Sequence, residues 1–279
     1  MKANKNKLKK SALMLFRGAH KYYAKYRPGI PGEVIDIIVK HFNVGLNDRI
    51  LDIGCGTGQV ALAMEGRCGE MVCLDPDPEM LKQAKKSTNN SNLKLAWIDQ
   101  DSKDLQAIKP EIGIFKVVTI CRAFHWMNQK QVLRDLDGLI DGNGGIAVFG
   151  DGSFWTGSEE WQQSVKRVVQ KYLGEERRAG DKAFRQSDER WEDVIARSHF
   201  RFVETRQVPV TRSWNVESII GWLFSSSFAR PDYFGNQLFA FKRDIKNTLL
   251  SLNPSGVFQE QAVFSIILAS RKRTRQCGH

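Results

Sequence analysis

The sequence predicts an α/β protein built on a doubly wound, mostly parallel sheet, and three observations carry that expectation. Short apolar runs alternate with helix-like or turn-rich stretches over residues 49–150. Those runs are near-continuously apolar, which marks strands covered on both faces. A glycine-rich loop follows the first run and precedes a helical stretch, as in nucleotide-type α/β units.

The first five strands read as Arg49–Ile53, Glu70–Leu74, Leu93–Trp97, Phe115–Ile120 and Gly145–Phe149. Helices span Pro78–Lys86 and Gln129–Ile140 between them, and Asp141-Gly-Asn-Gly-Gly145 is a dense turn signal before the fifth strand. Beyond Gly150, Thr156 and Glu159 have capping-box spacing. The helix that follows places Val165, Val168, Val169 and Tyr172 on one face and ends at Gly174. The charged stretch 175–193 reads as an exposed loop, and Phe202–Thr211 as a sixth strand. Asn215 caps a helix carrying Ile219, Ile220, Leu223 and Phe224. A further helix carries Leu238, Phe241, Ile245 and Leu249 and stops at Asn253-Pro254, before a last strand over Glu260–Ala269. The expected architecture is a seven-stranded Rossmann-like sheet with residues 153–200 inserted as a helical lid. Residues 1–30 read as a basic tail and a helix, 31–270 as the domain itself, and 271–279 as a second basic tail.

Composition excludes several classes. Of 279 residues, 42% are hydrophobic and 26% charged, ordinary for a globular chain. No run reaches the ~18 uninterrupted apolar residues of a spanning helix, so no membrane partner is expected. The five cysteines (Cys55, Cys68, Cys73, Cys121 and Cys277) are odd in number and form no CxxC pair. That argues against a disulfide framework or a metal site and for a reducing compartment, the cytoplasm. The acid-free stretch before Glu33 leaves a mitochondrial transit peptide as the alternative. Most of the formal charge of +11 comes from Lys2, Lys5, Lys7, Lys9, Lys10, Arg271, Lys272, Arg273 and Arg275. Like charges at termini are usually solvated tails rather than a basic groove, so nucleic acid is not the expected partner.

The most informative segment is Asp52-Ile-Gly54-Cys-Gly56-Thr-Gly58-Gln59. Gln59 stands where a dinucleotide fingerprint requires glycine, and the Lys-Ser/Thr pair of a Walker loop is absent. An acid two residues before the first glycine would oppose a pyrophosphate but welcome an ammonium group. The loop therefore suits a ligand with a cationic amino-acid end. Asp75 closes the second strand, where a carboxylate in a doubly wound sheet accepts ribose hydroxyls.

These segments resemble the class I S-adenosylmethionine (SAM)-dependent methyltransferase family. Within it they look like the small-molecule branch that includes trans-aconitate-type and biotin- or ubiquinone-pathway enzymes. Residues 51–58 resemble the cradle of the amino-acid end, which implies cofactor contacts from Asp52, Gly54, Gly56, Gly58 and Gln59. Residues 74–81 resemble the second motif, with Asp75 at the ribose and Pro76 and Met80 beside it. Asp99–Leu105 resembles the adenine segment and implies roles for Asp101 and Ser102, although Gln100 replaces the family's usual glycine. Cys121-Arg-Ala-Phe-His-Trp126 resembles the stretch after the fourth strand, bringing in Cys121 and Phe124. Tyr23-Ala-Lys-Tyr-Arg-Pro28 resembles the N-terminal segment that folds over the cofactor, through Tyr26 and Arg27. The resemblance covers residues 22–150; beyond them it follows from element order and the final strand.

The resemblance implies transfer of a methyl group from SAM to a small-molecule acceptor at N, O or C. His125 is the candidate base, with Tyr23 a second catalytic candidate. Aromatic residues of the C-terminal half, among them Trp155, Trp222, Phe228 and Tyr233, favour an aromatic or amine-containing metabolite. An RNA methyltransferase using its basic tails and a SAM-binding regulatory protein without turnover stay open, as do monomer and homodimer.

Overall fold

The computed structural model describes residues 16–179, 182–184 and 189–272. The five N-terminal lysines, Arg273, Arg275 and Cys277 lie outside them. The chain divides into two compact units. One comprises Gly29–Asp151, Gln186–Val208 and Phe264–His279; the other comprises Met1–Pro28, Gly152–Arg185 and Pro209–Val263.

The seven-stranded sheet runs in the order β3-β2-β1-β4-β5-β9-β8. Its strands are β1 (Arg49–Ile53), β2 (Glu70–Asp75), β3 (Lys94–Asp99), β4 (Phe115–Cys121), β5 (Ile140–Asp151), β8 (Phe202–Asn215) and β9 (Val257–Ser270). β1 pairs in parallel with β2 and β4, β2 with β3, and β4 with β5; β9 runs antiparallel to β5, from Gly145↔Ser270 to Asp151↔Phe264. The order reverses between β1 and β4, and the crevice beyond the carboxyl ends at such a switch is where open α/β sheets bind ligands.

Helices of this unit bury one apolar face each. The helix α2 (Gly32–Phe42) buries Val34, Ile35, Ile38 and Phe42. Pro78 opens α4 (Pro78–Ser87) behind an Asp77 cap, and Leu105, Ile108 and Ile112 are the buried positions of α5 (Leu105–Ile112). Val132, Leu133 and Leu136 of α6 (Gln129–Leu136) join Leu51, Val118, Ile146 and Ile267 in one core.

Four local expectations are corrected. The helix expected to reach Ile140 ends at Leu136, because Ile140 pairs with Phe115 as a strand. The turn signal 141–145 then lies inside β5 as an irregularity, where register jumps from Phe115↔Ile140 to Val117↔Gly145. A side chain at Gly144 would sit 2.1 Å from the carbonyl oxygen of Lys116, so only glycine passes. The capping box belongs to Glu159 and Gln162 rather than Thr156 and Glu159. The Gln162 amide oxygen accepts from Glu159 N–H at 3.1 Å, and Thr156 donates to the Ser153 carbonyl. The stretch 175–193 holds a small antiparallel pair, β6 (Arg178–Ala179) and β7 (Lys182–Ala183), and the start of α8 (Trp191–Ala196).

The second unit contains α1 (His20–Tyr26), α7 (Glu160–Leu173), α9 (Val216–Phe224) and α10 (Leu238–Leu252). Phe154, Trp161, Trp214, Trp222, Phe224, Phe228 and Phe234 are buried together in its core. Phe154 stacks on Trp222 at 3.9 Å and meets Trp161 and Trp214 edge-on. One buried carboxylate, Glu260, accepts from Trp214 Nε1 at 2.9 Å and Gln162 Nε2 at 3.0 Å and pairs with Arg212 at 3.4 Å. Most of these aromatics are therefore core rather than cavity wall.

Candidate functional site

The glycine loop turns immediately after β1. Gly54, Gly56 and Gly58 have φ of 72°, 52° and 82°, the left-handed region in which a side chain is strained. Gly54 is doubly constrained, since a Cβ there would lie 2.6 Å from Cβ of Ala123. Gly54 and Cys55 donate their N–H groups to the Leu74 carbonyl at 2.8 and 3.1 Å, which ties the loop to the end of β2. Gly58 caps the short α3 (Gln59–Ala63).

Two acids flank this loop in different surroundings. Asp52 is fully buried; Oδ1 accepts the Thr119 hydroxyl at 2.7 Å, while Oδ2 is shielded from water and meets no donor. Burial pushes its carboxyl up to about 7; the Thr119 hydrogen bond lowers it, and the charge of Asp75 adds to the rise. Asp75 accepts Gly56 N–H on Oδ2 and Asp77 N–H on Oδ1, both at 2.9 Å. Burial also pushes Asp75 up, to about 6, against those two backbone donors. Perturbed carboxylates beside a glycine loop at a switch point mark a ligand site.

At the end of β4, Cys121 is a partly buried thiol pushed up to about 12 by desolvation, which leaves it unreactive. Arg122 adopts φ 55°, unusual for a non-glycine residue. Its Nε binds Asp151 Oδ1 at 2.5 Å, its Nη1 binds Gln59 Oε1 at 2.9 Å, and its plane lies 5.3 Å from the Phe264 ring. Phe124 is buried in the sheet core and meets Trp191 edge-on. His125, half-buried, lies parallel to the Trp191 ring at 6.1 Å.

Asp101 caps the 3-10 turn Ser102–Asp104, accepting Lys103 N–H at 3.1 Å and pairing with its ammonium at 2.9 Å; Ser102 is buried beside it. Pro76 is half-buried and Met80 buried in the first turn of α4. Asp52, Gly54, Gly56, Gly58, Gln59 and Asp75 are brought together around one loop, with Arg122 joined through Gln59. Tyr23, Tyr26 and Arg27 belong to the second unit. There Tyr26 donates to Glu217 at 2.7 Å, and Arg27 binds Ser225 at 2.8 Å and lies 4.4 Å from the Trp222 ring and 5.1 Å from the Tyr23 ring. Sequence reasoning missed Thr119, Asp151 and Trp191. Thr119 had a signal, a lone hydroxyl in a strand whose only other polar residue is Lys116; the other two had none.

A switch point in the sheet, a buried acid and three left-handed glycines define a Rossmann-like unit with a candidate ligand site. Residues 50–144 match the family model described as a methyltransferase domain. CRG1 of Saccharomyces cerevisiae, named provisionally as an S-adenosylmethionine-dependent methyltransferase, is 32% identical over 48% of this chain and 45% of its own length. The chain thus spans less than half of that relative. The malonyl-[acyl-carrier protein] O-methyltransferase of Geobacter sulfurreducens is 27% identical over 67% of this chain and 68% of its own. A structure from Anaeromyxobacter dehalogenans, assigned provisionally to the type II methyltransferases, superimposes with a TM-score of 0.58 at 16% identity, covering 88% of this chain and 98% of its own. Residues 50–144 of this chain thus form a methyltransferase domain carried on a Rossmann-like sheet.

Proposed function

We propose that this chain transfers the methyl group of SAM to a small-molecule acceptor, an aromatic or amine-containing metabolite of a biosynthetic pathway. The observation that carries the reading is Asp52. Its Oδ2 is buried with no donor, a costly arrangement that an ammonium group of the cofactor's amino-acid end would satisfy. Gly54, Gly56 and Gly58 give the loop its left-handed turns beside that acid, and Asp75 has lone pairs left for ribose hydroxyls after its two backbone bonds. Asp101 and Ser102 would border the adenine.

SAM supplies an activated methyl and departs as a neutral thioether, so the protein's work is alignment of the acceptor and exclusion of water. Where the acceptor must lose a proton, His125 takes it, with its ring plane set by Trp191. The relative named for O-methylation of a malonyl group supports a small acceptor over a nucleic acid. Free thiols at Cys55, Cys68, Cys73 and Cys121 suit a reducing compartment such as the cytoplasm. Among the described residues no helix is long and apolar enough to cross a membrane.

The test is calorimetry with SAM, S-adenosylhomocysteine and NAD in parallel. Micromolar binding of both adenosyl ligands without NAD is expected; binding of NAD alone, or of none, overturns the proposal.

A further inference from the structure

The second unit concentrates guanidinium groups around three rings, Phe184, Phe228 and Tyr233. Arg177 lies 4.1 Å from the Phe184 ring centroid and 5.4 Å from that of Phe228. The next residue, Arg178, lies 5.5 Å from the Tyr233 centroid, and Arg230 approaches the same ring at 4.4 Å. Arg230 is only 2% exposed and binds Asp232 through two nitrogens, at 3.1 and 2.9 Å. Among the described residues Asp232, its side chain half exposed, pairs with Arg230. Among the described residues neither Arg177 nor Arg178 has an acidic partner. Nε of Arg177 is shielded from water and donates to nothing.

A guanidinium taken out of water without a counter-charge is expensive. Burial pulls Arg177 below the usual arginine range, the sign of an uncompensated charge. Contact with ring faces offsets part of that cost, about 0.5–2 kcal/mol for each cation–π contact, but leaves the N–H edges unfilled. Arg177 and Arg178, held near these rings with no acidic partner among the described residues, make a surplus that an anion would neutralise. The planar fork of arginine matches two oxygens of a carboxylate or phosphate, and the rings offer an apolar surface for a flat body.

We infer that Arg177, Arg178 and Arg230, with Phe228 and Tyr233, form a binding site for an organic anion that carries a flat apolar group. The site lies wholly within the second unit and stands whether or not the chain transfers methyl groups.

The experiment is calorimetry of the full chain with phenyl phosphate, phenylacetate and inorganic phosphate. S-adenosylhomocysteine is titrated in parallel to report the cofactor site separately. At least one aromatic anion should bind about tenfold more tightly than inorganic phosphate. Arg178→Ala, at an exposed position that folding tolerates, should weaken it about tenfold, and so should Arg177→Ala. Arg177→Lys should not restore it, since an ammonium lacks the fork. Three results overturn the inference: no binding of either aromatic anion at millimolar concentration, unchanged affinity in both alanine variants, or inorganic phosphate bound equally well.

Discussion

Thr119 donates its hydroxyl to Oδ1 of Asp52 at 2.7 Å across two parallel strands paired in register, and Oδ2 of the same carboxylate is buried without a donor. One oxygen of the carboxylate is thus fixed by the sheet, and the other is left without a protein donor.

Binding should therefore depend on pH. Asp52 titrates near about 7 when folded, against ~3.9 unfolded, so the ligand-free fold binds the proton more tightly and loses stability as pH rises from ~4 through 7. An ammonium-bearing ligand needs the ionised form. S-adenosylhomocysteine should bind more tightly, and raise Tm further, at pH 8 than at pH 6. Asp52→Asn should flatten that dependence; an unchanged profile in the variant would assign it to another group.

Asp75 braces Gly56 and Asp77, and the proposed function assigns it the ribose as well. Asp75→Ala should cost about 1.5–3 kcal/mol of cofactor affinity, roughly 10- to 100-fold. Calorimetry reads the loss directly, and equal affinity in the variant would remove Asp75 from the ribose position.

Gly54→Ala should destabilise the fold more than Gly66→Ala. Both glycines have φ 72°, but a Cβ at Gly66 meets open space while one at Gly54 meets Ala123. The Gly66 variant should lose about 1 kcal/mol for its backbone, and Gly54 about 1–3 kcal/mol more for overpacking. Urea denaturation of the two variants compares them; equal losses would mean that the loop yields to the extra methyl.

Replacing His125 by Ala should lower turnover about 10²- to 10⁴-fold with SAM affinity preserved, if His125 removes a proton from the acceptor. Parallel loss of both would make it a pocket residue held on Trp191.

In the second unit, Glu260→Ala should cost about 3–5 kcal/mol, because it leaves Arg212 and the indole N–H of Trp214 without their shared carboxylate. Thermal unfolding measures this, and a loss below 1 kcal/mol would show that water replaces the acid.

Several of these features were legible in the chain. Apolar runs at 49–53, 70–74 and 115–120 fixed strands because a sheet covered on both faces admits little else. The glycine spacing 54, 56, 58 identified the loop because left-handed backbone leaves few alternatives to glycine. Capping was less legible. Thr156 and Glu159 fit the spacing rule, but Glu159 and Gln162 also form the reciprocal bonds, and packing of Trp161 against the Gln259 carbonyl belongs to the helix that starts there. Asp141–Gly145 signalled a turn because local propensity cannot see that Ile140 finds a strand partner in Phe115.

By itself, then, the sequence determined which stretches become strands, where the chain turns around its ligand, and which acids stand beside that turn, since all of these follow from local pattern and backbone sterics. Only the tertiary structure decided that Thr119 occupies one oxygen of Asp52, that Arg122 joins Gln59 to Asp151, and that Nε of Arg177 is shielded from water with no acid beside it among the described residues. Those relationships join residues distant in sequence, and their energies depend on burial, which no local pattern encodes.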